Sequence, residues 1–225
     1  MTLPLPLRNR LAELILDAFH DPRAREGLEA MTTVCADSGA FEHGRALPEA
    51  FPSDLFERRA GALTIKSGFG PHQAELCERA GRAWRLLRGR PLDLRDAPLD
   101  AALDGAAALF DAGLYFEVHE LLEPYWIRAD GSAREALQGL IQVAVGFHHL
   151  TGGNVSGARA LLHDGCAKLI GRRLEGADLD GFAAEARRCL ERIAPLGAAA
   201  AALFDWTAVP RFPVAARYGS SASAD

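Results

Sequence analysis

The sequence is poor in lysine and has no basic cluster. Lys66 and Lys168 are the only lysines among 25 basic residues, the formal net charge is −5 and the pI is about 5.8. A nucleic-acid surface normally needs basic residues gathered on one face. We therefore expect no nucleic-acid partner.

Long apolar runs and a cysteine framework are also missing. No uncharged apolar stretch approaches the roughly 18 residues of a membrane span, and residues 1–8 lack the basic-then-apolar order of a signal peptide. The four cysteines, Cys35, Cys77, Cys166 and Cys189, lie far apart and form no CxxC pair. This pattern favours buried thiols in a reducing compartment over disulfides or a zinc ribbon. The sequence thus predicts a soluble cytoplasmic protein with no membrane partner.

Motifs of several enzyme classes are absent as well. The chain has no GxSxG, P-loop or GxGxxG motif, and no cysteine lies in a histidine pattern that marks a nucleophile. Candidate functional residues must therefore be sought among clusters of ionisable side chains on the predicted helices.

What the sequence does have is helical periodicity, without strand alternation or an internal repeat. It predicts an all-α helical bundle with a C-terminal core of antiparallel helices and an N-terminal helical extension. We expect residues 1–95 to form that extension, of unknown role, residues 96–195 the main domain, and residues 196–225 a partly disordered tail. Residues 53–60 are predicted as a short helix, and residues 62–66 are the one strand-like stretch.

One predicted helix, from Tyr115 to about Arg128, carries ionisable groups within its apolar face. His119 and Glu123 are one turn apart in a bulky apolar sector, with Glu120 at its edge. Glu117 is expected on the polar side with Arg128. An unpaired carboxylate in an apolar sector is unfavourable, so Glu123 needs a hydrogen-bond network or a cation.

The following predicted helix, from Arg134 to Leu150, is apolar almost all round except for one narrow stripe. Gln138, Gln142 and His149 lie on that stripe. Because the connecting loop is short, the two helices should be antiparallel neighbours with facing polar stripes. The sequence predicts a buried polar site there, built from His119, Glu123, Gln138, Gln142 and His149.

Three motifs in fixed order make the resemblance to a known family specific. They are Phe110-Asp111-x-Gly113-x-Tyr115-Phe116-Glu117-x-His119-Glu120-x-x-Glu123-x-x-Trp126, then Leu137-Gln138-Gly139-Leu140-Ile141-Gln142, then His149-Leu150-x-x-Gly153-Asn154-x-x-Gly157-Ala158. From about Leu99 to Leu174 the chain resembles domain-of-unknown-function family 309. That family is all-helical and is often described as a predicted metal-dependent hydrolase. The resemblance points to a set of site residues: Glu117, His119, Glu120, Glu123, Gln138, Gln142 and His149.

The stretch His119-Glu120-x-x-Glu123 is similar to the zinc-binding HExxH helix with glutamate at its second ligand position, an HExxE motif. In HExxH the two histidines hold zinc and the glutamate is the general base. By this analogy His119, Glu123 and His149 are predicted ligands of a divalent metal ion, and Glu120 the base for a bound water. A di-iron site fits worse, because it needs Glu-x-x-His on two helices. The residues predicted to contact a small-molecule ligand are Glu117, Trp126, Gln138 and Gln142.

Two other interpretations stay open. The polar groups can satisfy one another without any ligand, in a non-catalytic module that only fixes helix packing or binds a small polar molecule. Glutamines are poor ligands of transition metals, which favours an oxygen-rich ligand or a hydrogen-bond network at Gln138 and Gln142. Arg159 is placed to bind an anion at the site mouth or to pair with a surface carboxylate.

Overall fold

A computed structural model gives the structure of residues 3–41, 46–92 and 97–214. Helices dominate these residues, and the all-α prediction is confirmed. They are α1 (Leu5–Asp17), α2 (Pro22–Ala36), α3 (Gln73–Leu87), α4 (Leu99–Asp111), α5 (Tyr115–Arg128), α6 (Gly131–Thr151), α7 (Val155–Leu169), α8 (Asp180–Ile193) and the short α9 (Ala200–Leu203). Two small antiparallel hairpins pair β1 (Phe56–Arg59) with β2 (Ala62–Ile65), and β3 (Arg173–Leu174) with β4 (Ala177–Asp178).

The predicted short helix over residues 53–60 is wrong. Only Ser53–Leu55 form a helical turn, of the 3-10 type, and the chain then enters β1. Ala60 and Gly61 both have positive φ, 49° and 90°, which is the conformation of a two-residue hairpin turn. In the hairpin, β2 buries Leu63 and Ile65. The stretch predicted to be strand-like, β2, therefore pairs with β1, which lies in the segment predicted to be helical.

The two predicted site helices, α5 and α6, are connected by Ala129 and Asp130 alone and pack against each other. Helices α6 and α7 approach more closely, because glycines face each other between them. A Cβ atom on Gly165 would lie only 2.9 Å from the carbonyl oxygen of Gly139. This contact lies between the first half of α6 and the last part of α7, and His149 and Asn154 meet at the other end of the pair, where α6 ends and α7 begins.

The N-terminal helices are joined to the core and to one another. Helix α1 packs on α3 and α5, and α2 packs on α3. A disulfide between Cys35 and Cys77, with Cα atoms 5.6 Å apart, links α2 to α3. The expectation of four thiols is therefore wrong for this pair, which helix packing brings together across 42 residues of sequence; Cys166 and Cys189 are free and buried, as expected.

The compartment of the protein stays a prediction, since its argument from free thiols no longer holds. In the described ranges, no helix combines the length and the apolar character that a bilayer span requires. The division at residues 95 and 96 also stays a prediction. The core includes α1, α2 and α3 together with α4 to α8, and also Phe204 and Phe212. The expected disorder from about Ala215 onward lies outside the described residues.

Candidate functional site: a histidine–carboxylate group beside a cleft

Three side chains of the HExxE motif converge on the surface of α5. His119, Glu120 and Glu123 each offer a ligand atom, and these atoms lie within 4.8 Å of one another. His119 Nδ1 is 3.1 Å from a Glu120 oxygen, and Nε2 is 3.8 Å from a Glu123 oxygen. One imidazole and two carboxylates at this separation form a donor set suited to a divalent ion.

The group is partly exposed, so the expectation of a buried site is wrong in this respect. The His119, Glu120 and Glu123 side chains are 27%, 35% and 42% exposed. Pro124, the residue after Glu123, is exposed as well. Even so, His119 Nδ1 is itself buried and makes no hydrogen bond within the described residues.

His119 also lines a cleft of about 500 Å³ between α1, α5, α6 and α7. Its polar lining residues are Arg8, His119, Gln142, His148, His149 and Asn154. A mostly apolar wall with a few convergent polar groups is typical of a small-molecule site. Gln142 and His149 therefore lie at the same cleft as His119, whereas the described residues that line it do not include Glu123, Gln138 or Trp126.

His149 is oriented by the cap of the next helix. Asn154 Oδ1 accepts the backbone N–H of Gly157 and the hydroxyl of Ser156, which fixes the orientation of the amide. Its Nδ2 therefore faces His149 Nδ1, at 2.9 Å, and must donate to it. The imidazole then carries its proton on Nε2. Burial, followed by the charge of Arg8, lowers the pKa of His149 and favours this neutral form.

Glu117 is placed differently from the prediction that it faces the polar side with Arg128. Its side chain is fully buried, and Arg79 of α3 donates to its Oε1 at 2.5 Å. Glu117 lies one residue beyond the buried Phe116 in the first turn of α5, and that turn packs under the N-terminal helices. The carboxylate is therefore held in an internal ion pair, away from the cleft.

His148, the neighbour of His149 in α6, lies between the cleft and a second cavity. His148 lines both, with Phe116, and its ring centroid is 5.6 Å from that of Phe116. Burial lowers the pKa of His148 to about 4, and the positive charges of Arg79 and Arg8 add to this effect. His148 is thus a neutral group at the base of the cleft.

Trp126 and Gln138 stand apart from the cleft. The guanidinium of Arg134 lies 4.5 Å from the Trp126 ring centroid and donates to the Trp126 carbonyl at 2.9 Å. These contacts fasten the end of α5 to the first turns of α6, a packing role. Gln138 is half-buried on α6, one turn before Gln142. Arg159 is exposed on α7 and is not among the described lining residues.

Two arginines that sequence reasoning missed come from the N-terminal region. Arg79 lies on the apolar face of α3, between Leu76 and Ala83, so its position on that face was a usable signal for an internal partner. Arg8 stacks over the Phe116 ring, with its Cζ atom 4.1 Å from the centroid. Nothing in its local pattern marks it, because only the packing of α1 on α5 brings it to the cleft.

Fold and site together define an all-helical protein with a candidate His–Glu–Glu metal group next to a polar-lined cleft. The family model described as "Domain of unknown function (DUF309)" matches residues 103–161. That match confirms the resemblance drawn from the three motifs over this range, which includes α5, α6 and the start of α7. No curated protein and no solved structure matches the chain.

Proposed function

We propose that the chain is a metal-dependent hydrolase of a small polar molecule, with a divalent ion held by His119, Glu120 and Glu123. The observation that carries the proposal is the convergence of three ligand atoms within 4.8 Å, on a histidine that also lines the cleft. The Nδ1 atom of His119 lies 3.1 Å from a Glu120 oxygen without a hydrogen bond between them, which is compatible with both atoms facing a cation. A divalent ion at such a site supplies a Lewis acid and lowers the pKa of a coordinated water.

This arrangement changes two of the roles expected from HExxH. Glu120 takes part in the ligand set, so it is proposed as a ligand and not as the general base. His149 keeps its Nε2 proton because Asn154 donates to Nδ1, so it is proposed to donate a hydrogen bond to the substrate and not to bind the ion. Gln142 would orient the substrate through its amide, whose Oε1 is buried and unpaired.

Metal analysis of protein purified without added metal or chelator tests the proposal. Wild-type protein should carry close to one equivalent of metal, and His119→Ala should carry almost none. Glu123→Gln should weaken binding, because an amide is a poorer ligand than a carboxylate. The matched control is His163→Ala, since that side chain is 72% exposed on α7. Wild-type protein free of metal, also after incubation with zinc, manganese or iron(II), would refute the metal site.

A metal-free module that binds a small polar ligand is the second candidate. It is favoured by the amide and imidazole groups of Gln142, His149 and Asn154 at the cleft, which suit hydrogen bonding better than metal ligation. It predicts that His119→Gln lowers thermal stability equally with and without added metal. A stability difference that appears only with metal would favour the hydrolase.

A further inference from the structure

Among the described residues that line the cleft, Arg8 alone carries a fixed positive charge. In the described part of the chain Arg8 forms no ion pair, and its one hydrogen-bond partner there is Asn9 Oδ1, at 3.4 Å. No acidic residue is among the described residues that line the cleft. Arg8 lies over the Phe116 ring, with Cζ 4.1 Å from the centroid, and a guanidinium can bind a carboxylate or phosphate with two hydrogen bonds.

A second group at the cleft is a donor as well. The capping hydrogen bonds of Asn154 fix its amide, so His149 Nδ1 accepts and Nε2 carries the proton. The half-buried imidazole lies where α6 gives way to α7, and it lines the same cleft as Arg8. A cation and a neutral N–H donor together recognise an anionic acceptor.

The cleft also has an apolar part. Leu3, Ile141, Val145 and Leu161 line the cleft, with the Phe116 ring. A volume of about 500 Å³ is far larger than a bare carboxylate or phosphate and lies in the range of small organic ligands. The wall therefore matches an apolar body attached to the acid group.

Phe116 connects this part of the cleft to the candidate metal group. Its ring centroid is 4.1 Å from Arg8 Cζ and 5.9 Å from the centroid of the His119 ring. A single small molecule can therefore reach from Arg8 to His119 across one aromatic ring.

We propose that the cleft selects small organic anions, with the acid group held by Arg8 and His149 and an apolar body against Leu3, Ile141 and Leu161. The inference rests on the proposed function for the assignment of the cleft to the substrate. It adds a substrate class, and it assigns specificity to Arg8, which lies outside the family match.

Titration calorimetry on the full chain, dialysed against chelator, tests the proposal with four defined probes. Hydrocinnamate and phenylpropyl phosphate carry an acid and an apolar body, hydrocinnamamide carries the same body without charge, and acetate is an acid without the body. A charge-assisted hydrogen bond should make at least one of the first two bind about tenfold or more tightly than the amide and acetate. The stronger of the two identifies the acid as carboxylate or phosphate.

Variants at Arg8 locate the effect. Arg8→Gln should abolish the preference for the acid over the amide, whereas Arg8→Lys should keep part of it, because the charge remains without the bidentate geometry. Arg10→Gln is the matched control, since Arg10 lies on the same helix and pairs with Glu13 and Asp54. Circular dichroism of each variant establishes that it is folded before titration.

Either of two results would overturn the inference. One is that wild-type protein shows no preference for an acid over the amide at millimolar concentration, whether because no acid binds or because both bind equally; the other is that the preference survives in folded Arg8→Gln. The outcome is separable from that of the metal analysis. Arg8-dependent anion binding in a protein that never takes up metal would support this inference and refute the metal-dependent hydrolase. Metal binding without Arg8-dependent anion binding would support the metal site and refute this inference.

Discussion

The internal ion pair between Arg79 and Glu117 tests whether this glutamate of the α5 motif stabilises the fold and takes no part in metal binding. Glu117 is 0% and Arg79 7% exposed at the side chain, so neither charge is hydrated. Removing one partner of such a pair leaves an uncompensated buried charge, which typically destabilises a protein by about 3–5 kcal/mol. We therefore expect Arg79→Met to lower the free energy of unfolding by about 4 kcal/mol.

The double variant separates the ion pair from simple loss of packing. Replacing both charges, as in Arg79→Met with Glu117→Gln, removes the buried charge and should recover most of the loss. Urea denaturation at neutral pH, followed by circular dichroism, measures each difference from the shift in midpoint at constant slope. Glu78→Gln is the control, because the Glu78 side chain is 59% exposed and loss of its ion pair with Arg82 should change stability by less than about 1 kcal/mol.

Metal content of the same proteins tests the role of Glu117 directly. If Glu117 serves only as the internal partner of Arg79, replacing it by Gln in the double variant should leave the metal content unchanged. If Arg79→Met lowers the free energy of unfolding by less than about 1 kcal/mol, the ion pair does not stabilise the fold as proposed. If the folded double variant loses metal that Glu78→Gln retains, Glu117 belongs to the ligand set and its assignment to packing is wrong.

Three further predictions concern pH, a tautomer and the disulfide. The pKa of His148 is 6.5 in the unfolded chain and about 4 in the fold, so the unfolded chain binds more protons between these pH values. The free energy of unfolding should therefore fall by up to about 3 kcal/mol as the pH drops from 6.5 to 4. In urea titrations, His148→Gln should remove this part of the pH dependence. Asn154→Asp keeps the helix cap but cannot donate to His149; nitrogen NMR should show the proton moving from Nε2 to Nδ1, and an unchanged tautomer would contradict the orientation given for Asn154. Cys35→Ser should lower the free energy of unfolding by about 4 kcal/mol from loop entropy, and reductant should no longer change its stability, whereas Cys189→Ser keeps the disulfide and should stay sensitive to reductant; thiol labelling of unfolded wild-type protein should find only Cys166 and Cys189 reactive.

Helix positions were predictable where periodicity and end signals coincide. Pro22 begins α2 and Asp21 caps it by accepting the N–H of Arg23, while Asn154 caps α7 through Gly157. These are local interactions, which the sequence contains in full. The helix predicted over residues 53–60 failed because a positive-φ turn at Ala60 and Gly61 outweighs the local pattern once β2 buries Leu63.

Polar residues of the site were identified more reliably than their surroundings. Facing α5 and α6 was enough to bring His119, Gln142 and His149 to one cleft. Burial could not be predicted, because it depends on how far α1 covers α5. The pairing of Cys35 with Cys77 was missed for the same reason, since it depends on the packing of α2 against α3.

The N-terminal helices complete the site as well as the core. Arg79 neutralises the one motif carboxylate that the fold buries completely, and so lets Glu117 anchor the first turn of α5. That turn carries Phe116, on which Arg8 stacks, and the next turn carries His119. A matched region expressed without α1 and α3 would therefore leave a buried carboxylate unpaired and the cleft without its cation. The position of His119 relative to a bound anion depends on residues that the family match does not include.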